Sequence, residues 1–254
     1  MAKTVAVANQ KGGVGKTTTA VNLACCVQAR GQRVLLVDCD PQGNASSGAG
    51  VAAREGRAIY DVLLGAVPAS AAVAHGKYCD VLPADIRLAA AEQELVEAPH
   101  RDRRLHAALA ELADRYDYIF IDCPPSLGLL TINALAACDT VLIPMQCEYF
   151  ALEGLSQLVS SIRAVKRGIN PRIDIEGLVL TMYDARANLT IQVAEEVKKY
   201  FGSKVYKTVV PRNIRLSEAP SHGLPILAYD RSSRGAEAYG AVADEFLKNN
   251  GRER

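Results

Sequence analysis

The sequence predicts an α/β fold with a mostly parallel, twisted sheet and helices on both faces. Three observations carry this. Short β-branched apolar runs alternate with longer helical stretches along the chain, and that alternation builds crossover units whose strands run parallel. Most of the runs lack clean apolar/polar alternation, as strands buried on both faces do. The first run leads straight into a glycine-rich turn and then a helix, N-Q-K-G-G-V-G-K-T at residues 9–17.

The strand candidates are T-V-A-V-A (4–8), R-V-L-L-V-D (33–38), Y-I-F-I-D (118–122), T-V-L-I-P (140–144), E-G-L-V-L-T-M (176–182) and K-V-Y-K-T-V-V (204–210). Helices are expected over 17–30, 102–115, 127–137, 152–167, 190–200 and 235–247, with Gly31 stopping the first. Region 45–100 is rich in Ala and Gly and holds only a short strand signal at 80–83. It reads as surface helices and loops elaborating the core. No repeat, low-complexity tract or linker divides the 254 residues, so 1–254 is expected to form one domain.

Composition is that of a globular protein with a sizeable core, with 49% hydrophobic and 22% charged residues. The net charge of +1 leaves only local patches to speak for partners. Seven cysteines (25, 26, 39, 79, 123, 138 and 147) lie mostly in apolar runs without a C-x-x-C pair. They read as reduced, buried thiols rather than a zinc site. No signal-peptide pattern or bilayer-spanning run is present, and a cytoplasmic location is expected.

A strand, a glycine-rich turn with G-K-T, and a helix form the context of a phosphate-binding loop, which makes the fold P-loop NTPase-like. Gly12, Gly13 and Gly15 let backbone N–H groups converge on an anion, and the helix start adds its positive end. Lys16 is expected to hold the β- and γ-phosphates and the Thr17 hydroxyl to ligate Mg²⁺. Such a site needs a carboxylate at the end of a buried strand. Y-I-F-I-D supplies Asp122, and V-L-L-V-D-C-D-P-Q-G-N supplies Asp38 and Asp40, expected to share a face and to repel. From Lys198 to Arg234, eight basic residues stand against two acids, Glu218 and Asp230, a patch able to follow a phosphate backbone.

K-G-G-V-G-K-T-T-T, V-D-C-D-P-Q-G-N, I-D-C-P-P-S-L-G, Q-C-E-Y-F-A-L-E-G-L (146–155) and P-R-N-I-R-L-S-E-A-P-S-H-G-L-P-I strongly resemble the ParA/Soj chromosome-partitioning ATPases, of the deviant Walker A class. The resemblance runs from residue 3 to about 247. It implies a slow ATPase with ATP and Mg²⁺ as ligands and a homodimer that sandwiches ATP. Lys11 would reach the nucleotide of the other subunit, where charge developing on the phosphoryl oxygens needs a cation. Gly12 would stay small so that two loops can approach. Lys11, Gly12, Gly13, Val14, Gly15, Lys16, Thr17 and Thr18 would line the nucleotide, with Pro211 and Asn213 near adenine. Asp40 would position the attacking water, and Asp38 and Asp122 would stand around Mg²⁺.

The same resemblance implies nonspecific binding of double-stranded DNA through Arg186 and Arg215. It also implies a nucleoid-associated location and a ParB-type centromere-binding partner whose N-terminal peptide stimulates hydrolysis. No helix-turn-helix segment precedes the loop, so operator binding is not expected. Two relatives set the alternatives. A MinD-like division-site regulator would end in a membrane-binding amphipathic helix, whereas this chain ends D-E-F-L-K-N-N-G-R-E-R, and no stable membrane association is expected. An iron-protein-like reductase would hold a cluster between subunits, and Cys123 and Cys138 lack that family's glycine-rich setting.

Overall fold

The computed structural model describes residues 1–149 and 151–251; Phe150 of the 146–155 stretch and Arg252 to Arg254 lie outside the described residues. The strands are β1 (Lys3–Val7), β2 (Val34–Asp38), β3 (Asp80–Leu82), β4 (Tyr118–Asp122), β5 (Thr140–Gln146) and β6 (Asp174–Thr181). They form one sheet in the order β3-β2-β4-β1-β5-β6, with every neighbouring pair parallel. The helices are α1 (Lys16–Gln28), α2 (Asn44–Gly48), α3 (Ile59–Leu63), α4 (Ala69–Ala72), α5 (Leu88–Glu94), α6 (Arg104–Ala110), α7 (Leu129–Ala137), α8 (Ala151–Gly168), α9 (Asn188–Phe201), α10 (Ile214–Glu218), α11 (Ile226–Tyr229) and α12 (Arg234–Asn249).

The strands are buried on both faces, and their two-residue period divides each between two apolar layers. Ile119 and Ile121 of β4 join the layer containing α3, α5, α6, α7 and α8, while Tyr118 and Phe120 join the layer of α1 and α12. Leu155, Leu158, Ile162 and Val165 give α8 the three-and-four spacing of a helix lying on a sheet. At the end of α1, Gly31 takes φ +83°, and its N–H donates to the Gln28 carbonyl at 2.8 Å. Among the described residues no helix is long and apolar enough to cross a membrane. All seven cysteines are buried free thiols.

Three expectations need correction. Residues 204–210 do not form a strand. After a 3₁₀ turn at Gly202–Lys204 the chain runs beside β6 with isolated bridges, Leu178 with Val205 and, beyond β6, Tyr183 with Pro211; the Tyr206 N–H donates to the Leu178 carbonyl at 2.9 Å and the Val210 N–H to the Leu180 carbonyl at 2.8 Å, with no continuous ladder between them. The Glu245 carboxylate of α12 accepts the backbone N–H of Lys207 at 2.7 Å and of Thr208 at 2.9 Å, donors that a ladder would have used. The expected helix at 102–115 spans only Arg104–Ala110, the rest closing as turns such as Leu112 N–H to Leu109 C=O. Region 45–100 is more than surface elaboration: Ile59, Leu63, Leu82, Leu88 and Leu95 are fully buried, and β3 forms one edge of the sheet.

α12 locks its layer through Phe246, whose ring meets Tyr118 edge-on at 5.1 Å and Phe120 at 5.3 Å between centroids. Ser233 caps this helix by accepting the Ala236 N–H. Phe246→Ala removes a fully buried ring from both contacts and is expected to lower stability by about 3–5 kcal/mol. Urea unfolding followed by circular dichroism measures this loss, and an unchanged midpoint would show that α12 does not anchor the layer.

Candidate nucleotide-binding site

In a parallel sheet every strand points its carboxyl end the same way, so the loops that follow gather along one edge. Here Val7, Asp38 and Asp122 come level: Val7 registers with Asp122 across β1–β4, and Asp38 registers with Asp122 across β2–β4. The glycine-rich loop leaves β1 at this level and turns into α1. Gly15, at φ +87°, is the N-terminal cap residue, and no side chain caps the helix. The first-turn N–H groups of a thirteen-residue helix are thus left to meet an anion.

The loop is tethered from two sides. Asn9 donates its amide N–H to the Pro144 carbonyl at 2.8 Å and accepts the Lys11 N–H at 3.0 Å. Thr181, at the end of β6, donates its hydroxyl to the Val14 carbonyl at 2.7 Å. Lys16 is buried and turns its ammonium back to the Lys11 carbonyl at 3.0 Å. Burial lowers its pKa, and Asp122 leads the groups that oppose the drop. Gly12 and Gly13 are exposed, and a Cβ on either would meet nothing within 4 Å. Gly13, at φ +73°, needs glycine for its backbone, but nothing within the chain requires Gly12 to be small.

Both strand-end acids are fully buried. Asp38 is well served: one oxygen accepts the Ser46 N–H and hydroxyl, each at 2.7 Å, and the other accepts the Asp40 N–H at 3.2 Å. Burial still pushes its carboxyl up to about 6. Asp122 is not: neither oxygen has a partner in full hydrogen-bond geometry among the described residues, although the nearby Thr17 hydroxyl offsets part of its shift. Burial, with the neighbouring Asp38 next, pushes the Asp122 carboxyl well above the usual carboxylate range. An unserved buried carboxylate beside a lysine and a threonine hydroxyl fits a divalent cation held with a phosphate.

Asp38 and Asp40 repel, as the sequence reading expects: the Asp40 charge adds to the upward push on both Asp38 and Asp122. β2 ends at Asp38, and Asp40 sits in the next turn, partly exposed, accepting the Gln42 N–H at 3.0 Å. Asp38 also faces Asp122 in register across β2–β4.

A cavity of about 210 Å³ opens beside Thr17 and Thr18, closed by Asn22, Ser47 and the 219–224 segment. Pro211 and Asn213 do not line it. Pro211 lines an open groove with Arg186, Arg212 and Arg234, and the Asn213 side-chain oxygen caps α10 by accepting the Arg215 N–H at 2.9 Å. The basic run is less bare than its sequence implies. Arg215 pairs with Glu218 at 2.8 Å and Asp230 at 3.5 Å, and Lys204 pairs with Asp174 at 3.2 Å. Arg186 pairs with Asp184 at 3.0 Å. Sequence reasoning missed Asn9, Ser46, Glu148 and Thr181. Asn9 stands in the opening motif and Ser46 just after V-D-C-D-P-Q-G-N, but neither has a spacing that signals its partner.

The folded-state pKa of Asp122 lies above its unfolded value, so its ionisation costs stability as pH rises beyond the unfolded pKa. Asp122→Asn is therefore expected to stabilise the nucleotide-free protein by about 1–3 kcal/mol at pH 8 and by less at pH 5. Urea unfolding at both values checks this; a variant less stable at pH 8 would mean that the carboxylate is compensated.

An AAA domain family model matches residues 2–175. The chain is 58% identical over 252 residues to the sporulation initiation inhibitor protein Soj of Bacillus subtilis, covering 98% of this chain and 100% of that one. It is 54% identical over 247 residues to the chromosome partitioning protein ParA of Myxococcus xanthus, covering 96% and 87%. Among solved structures, cobyrinic acid a,c-diamide synthase from Mycobacterium smegmatis, with bound ATP analog and magnesium, superposes with a TM-score of 0.86 at 36% identity, covering 100% and 98%. With its glycine-rich loop at the carboxyl edge of a parallel sheet and this identity along nearly its whole length, the chain belongs to the Soj/ParA family of chromosome-partitioning ATPases.

Proposed function

We propose that the chain is one ATPase unit working as a nucleotide-gated DNA-binding switch in DNA segregation. The observation that carries this is the meeting of Lys16 and the unserved Asp122 carboxylate at the uncapped start of α1. The first-turn N–H groups of α1 and the Lys16 ammonium cradle the ATP phosphates, with Gly13, Val14, Gly15 and Thr18 closing the loop around them. Thr17, Asp38 and Asp122 are the residues that would hold Mg²⁺, which when bound neutralises charge on the phosphate oxygens. Asp40, partly exposed in its turn, is placed to orient a water. The Asn213 amide nitrogen, its oxygen being taken by the α10 cap, offers a donor to adenine.

Two protomers sandwich ATP. Exposed Gly12, with open space around it, supports a face on which a second copy can close, and Lys11 then serves the partner's nucleotide. The ATP dimer binds double-stranded DNA without sequence preference. Arg186 and Arg215 contact phosphate, and Arg212 and Arg234, which lie in one groove with Arg186, support a continuous basic surface. A ParB-type centromere-binding protein stimulates hydrolysis and release. The protein acts at the nucleoid in the cytoplasm, without stable membrane association.

Lys16→Ala removes a charged phosphate donor and is expected to weaken ATP binding by about 10–100-fold or more. Isothermal titration calorimetry reads this directly, and retained tight binding would overturn the loop assignment. Binding of nonspecific duplex DNA is expected only with ATP, not with ADP or without nucleotide, and to fall steeply with salt. Arg215→Glu should lose the DNA and keep the dimer. Binding absent in all three nucleotide states would remove the DNA reading, and an unaffected Arg215→Glu would move the surface elsewhere.

A further inference from the structure

Lys11 is held at three points. Its N–H donates to the Asn9 side-chain oxygen at 3.0 Å, its carbonyl accepts from the Lys16 ammonium at 3.0 Å, and its own ammonium pairs with the Glu148 carboxylate. Glu148 lies in the turn between β5 and α8. Its N–H donates to the Gln146 carbonyl at 3.1 Å and its carbonyl accepts the Ala151 N–H at 3.0 Å, so its backbone is fixed. Asn9 also ties the glycine-rich loop to β5 at Pro144. The two walls that carry the ion pair are therefore already joined, and the pair forms at a small entropic cost.

We propose that Glu148 is a positioning residue that parks Lys11 within its own protomer, so that the ammonium must leave Glu148 before it can reach a nucleotide held by a second copy. This rests on the reading of Lys11 as a cation supplied across the dimer. Glu148 then sets a threshold. A protomer keeps its lysine at home until the developing interface offers a stronger anion, and a phosphate group with its several charges outbids one carboxylate. Both side chains are partly solvent-exposed, at 38% and 50%. An exposed pair of this kind changes an equilibrium by up to about fivefold. A symmetric dimer must open two of them, so the effect on dimer dissociation rises to about 25-fold at most, the square of the single step. The threshold is electrostatic and open to water, so salt screens it.

Dimerisation of the wild type, Glu148→Gln and Lys11→Ala, measured by sedimentation velocity with a non-hydrolysable ATP analogue and Mg²⁺, tests this at about 0.05 M and about 0.5 M salt. Glu148→Gln should dimerise about 2–25-fold more tightly than the wild type at low salt, and the gap should narrow at high salt. Lys11→Ala should dimerise more weakly than the wild type. If Lys11→Ala weakens the dimer while Glu148→Gln leaves it unchanged or weakens it, the parking role is wrong and the reading of Lys11 stands. If Lys11→Ala dimerises like the wild type, the reading of Lys11 falls and the role of Glu148 falls with it. A gain in Glu148→Gln that persists undiminished at high salt would also overturn the proposal, because relief of an exposed ion pair cannot resist screening.

Discussion

Two carboxylates facing each other across adjacent buried strands govern how this molecule is built. Asp38 and Asp122 stand in register at the carboxyl ends of β2 and β4, both without solvent exposure. Placing two acids there is unfavourable, and the fold treats them differently. Ser46, at the start of α2, gives Asp38 two donors and so turns an irregular loop into a fixed wall of the site. Asp122 receives no comparable service: neither oxygen has a partner in full hydrogen-bond geometry among the described residues, and burial pushes its carboxyl well above the usual range. Lys16, whose own pKa is lowered by burial, offsets part of the Asp122 shift.

The glycine-rich loop beside these acids is held from the other half of the sheet. Its tethers, Asn9 to Pro144 and Thr181 to the Val14 carbonyl, come from strands on the opposite side of β1 from the acids. The acids and the phosphate cradle are thereby fixed by separate parts of the sheet, and a ligand bridging them couples both halves. Its lysines are kept occupied within the chain. Lys16 turns to the Lys11 carbonyl and Lys11 to Glu148, so neither ammonium stands unpaired.

The basic surface follows similar electrostatics. Asp174, thirty residues away, folds back against Lys204, and Asp184 pairs with Arg186 two residues on. The eight-to-two excess counted along the chain overstates the field that a DNA phosphate would meet. What remains is a groove where Arg186, Arg212 and Arg234 meet, and it combines one residue from after β6 with two from the last quarter of the chain.

Sequence alone determined the parallel α/β architecture, five of the six expected strands and the main helices, because buried apolar runs and helix periodicity are local signals. It also determined the identity of the loop, since G-G-V-G-K-T between a strand and a helix admits few other uses. The same local reasoning failed at 204–210, where an apolar β-branched run gives the backbone donors of Lys207 and Thr208, at its middle, to Glu245, some forty residues away. The partners Ser46, Thr181 and Glu148 were decided only by the tertiary structure. Each acts through contacts set by strand order and crossover length, and no residue spacing along a chain encodes which carboxyl ends will finish side by side.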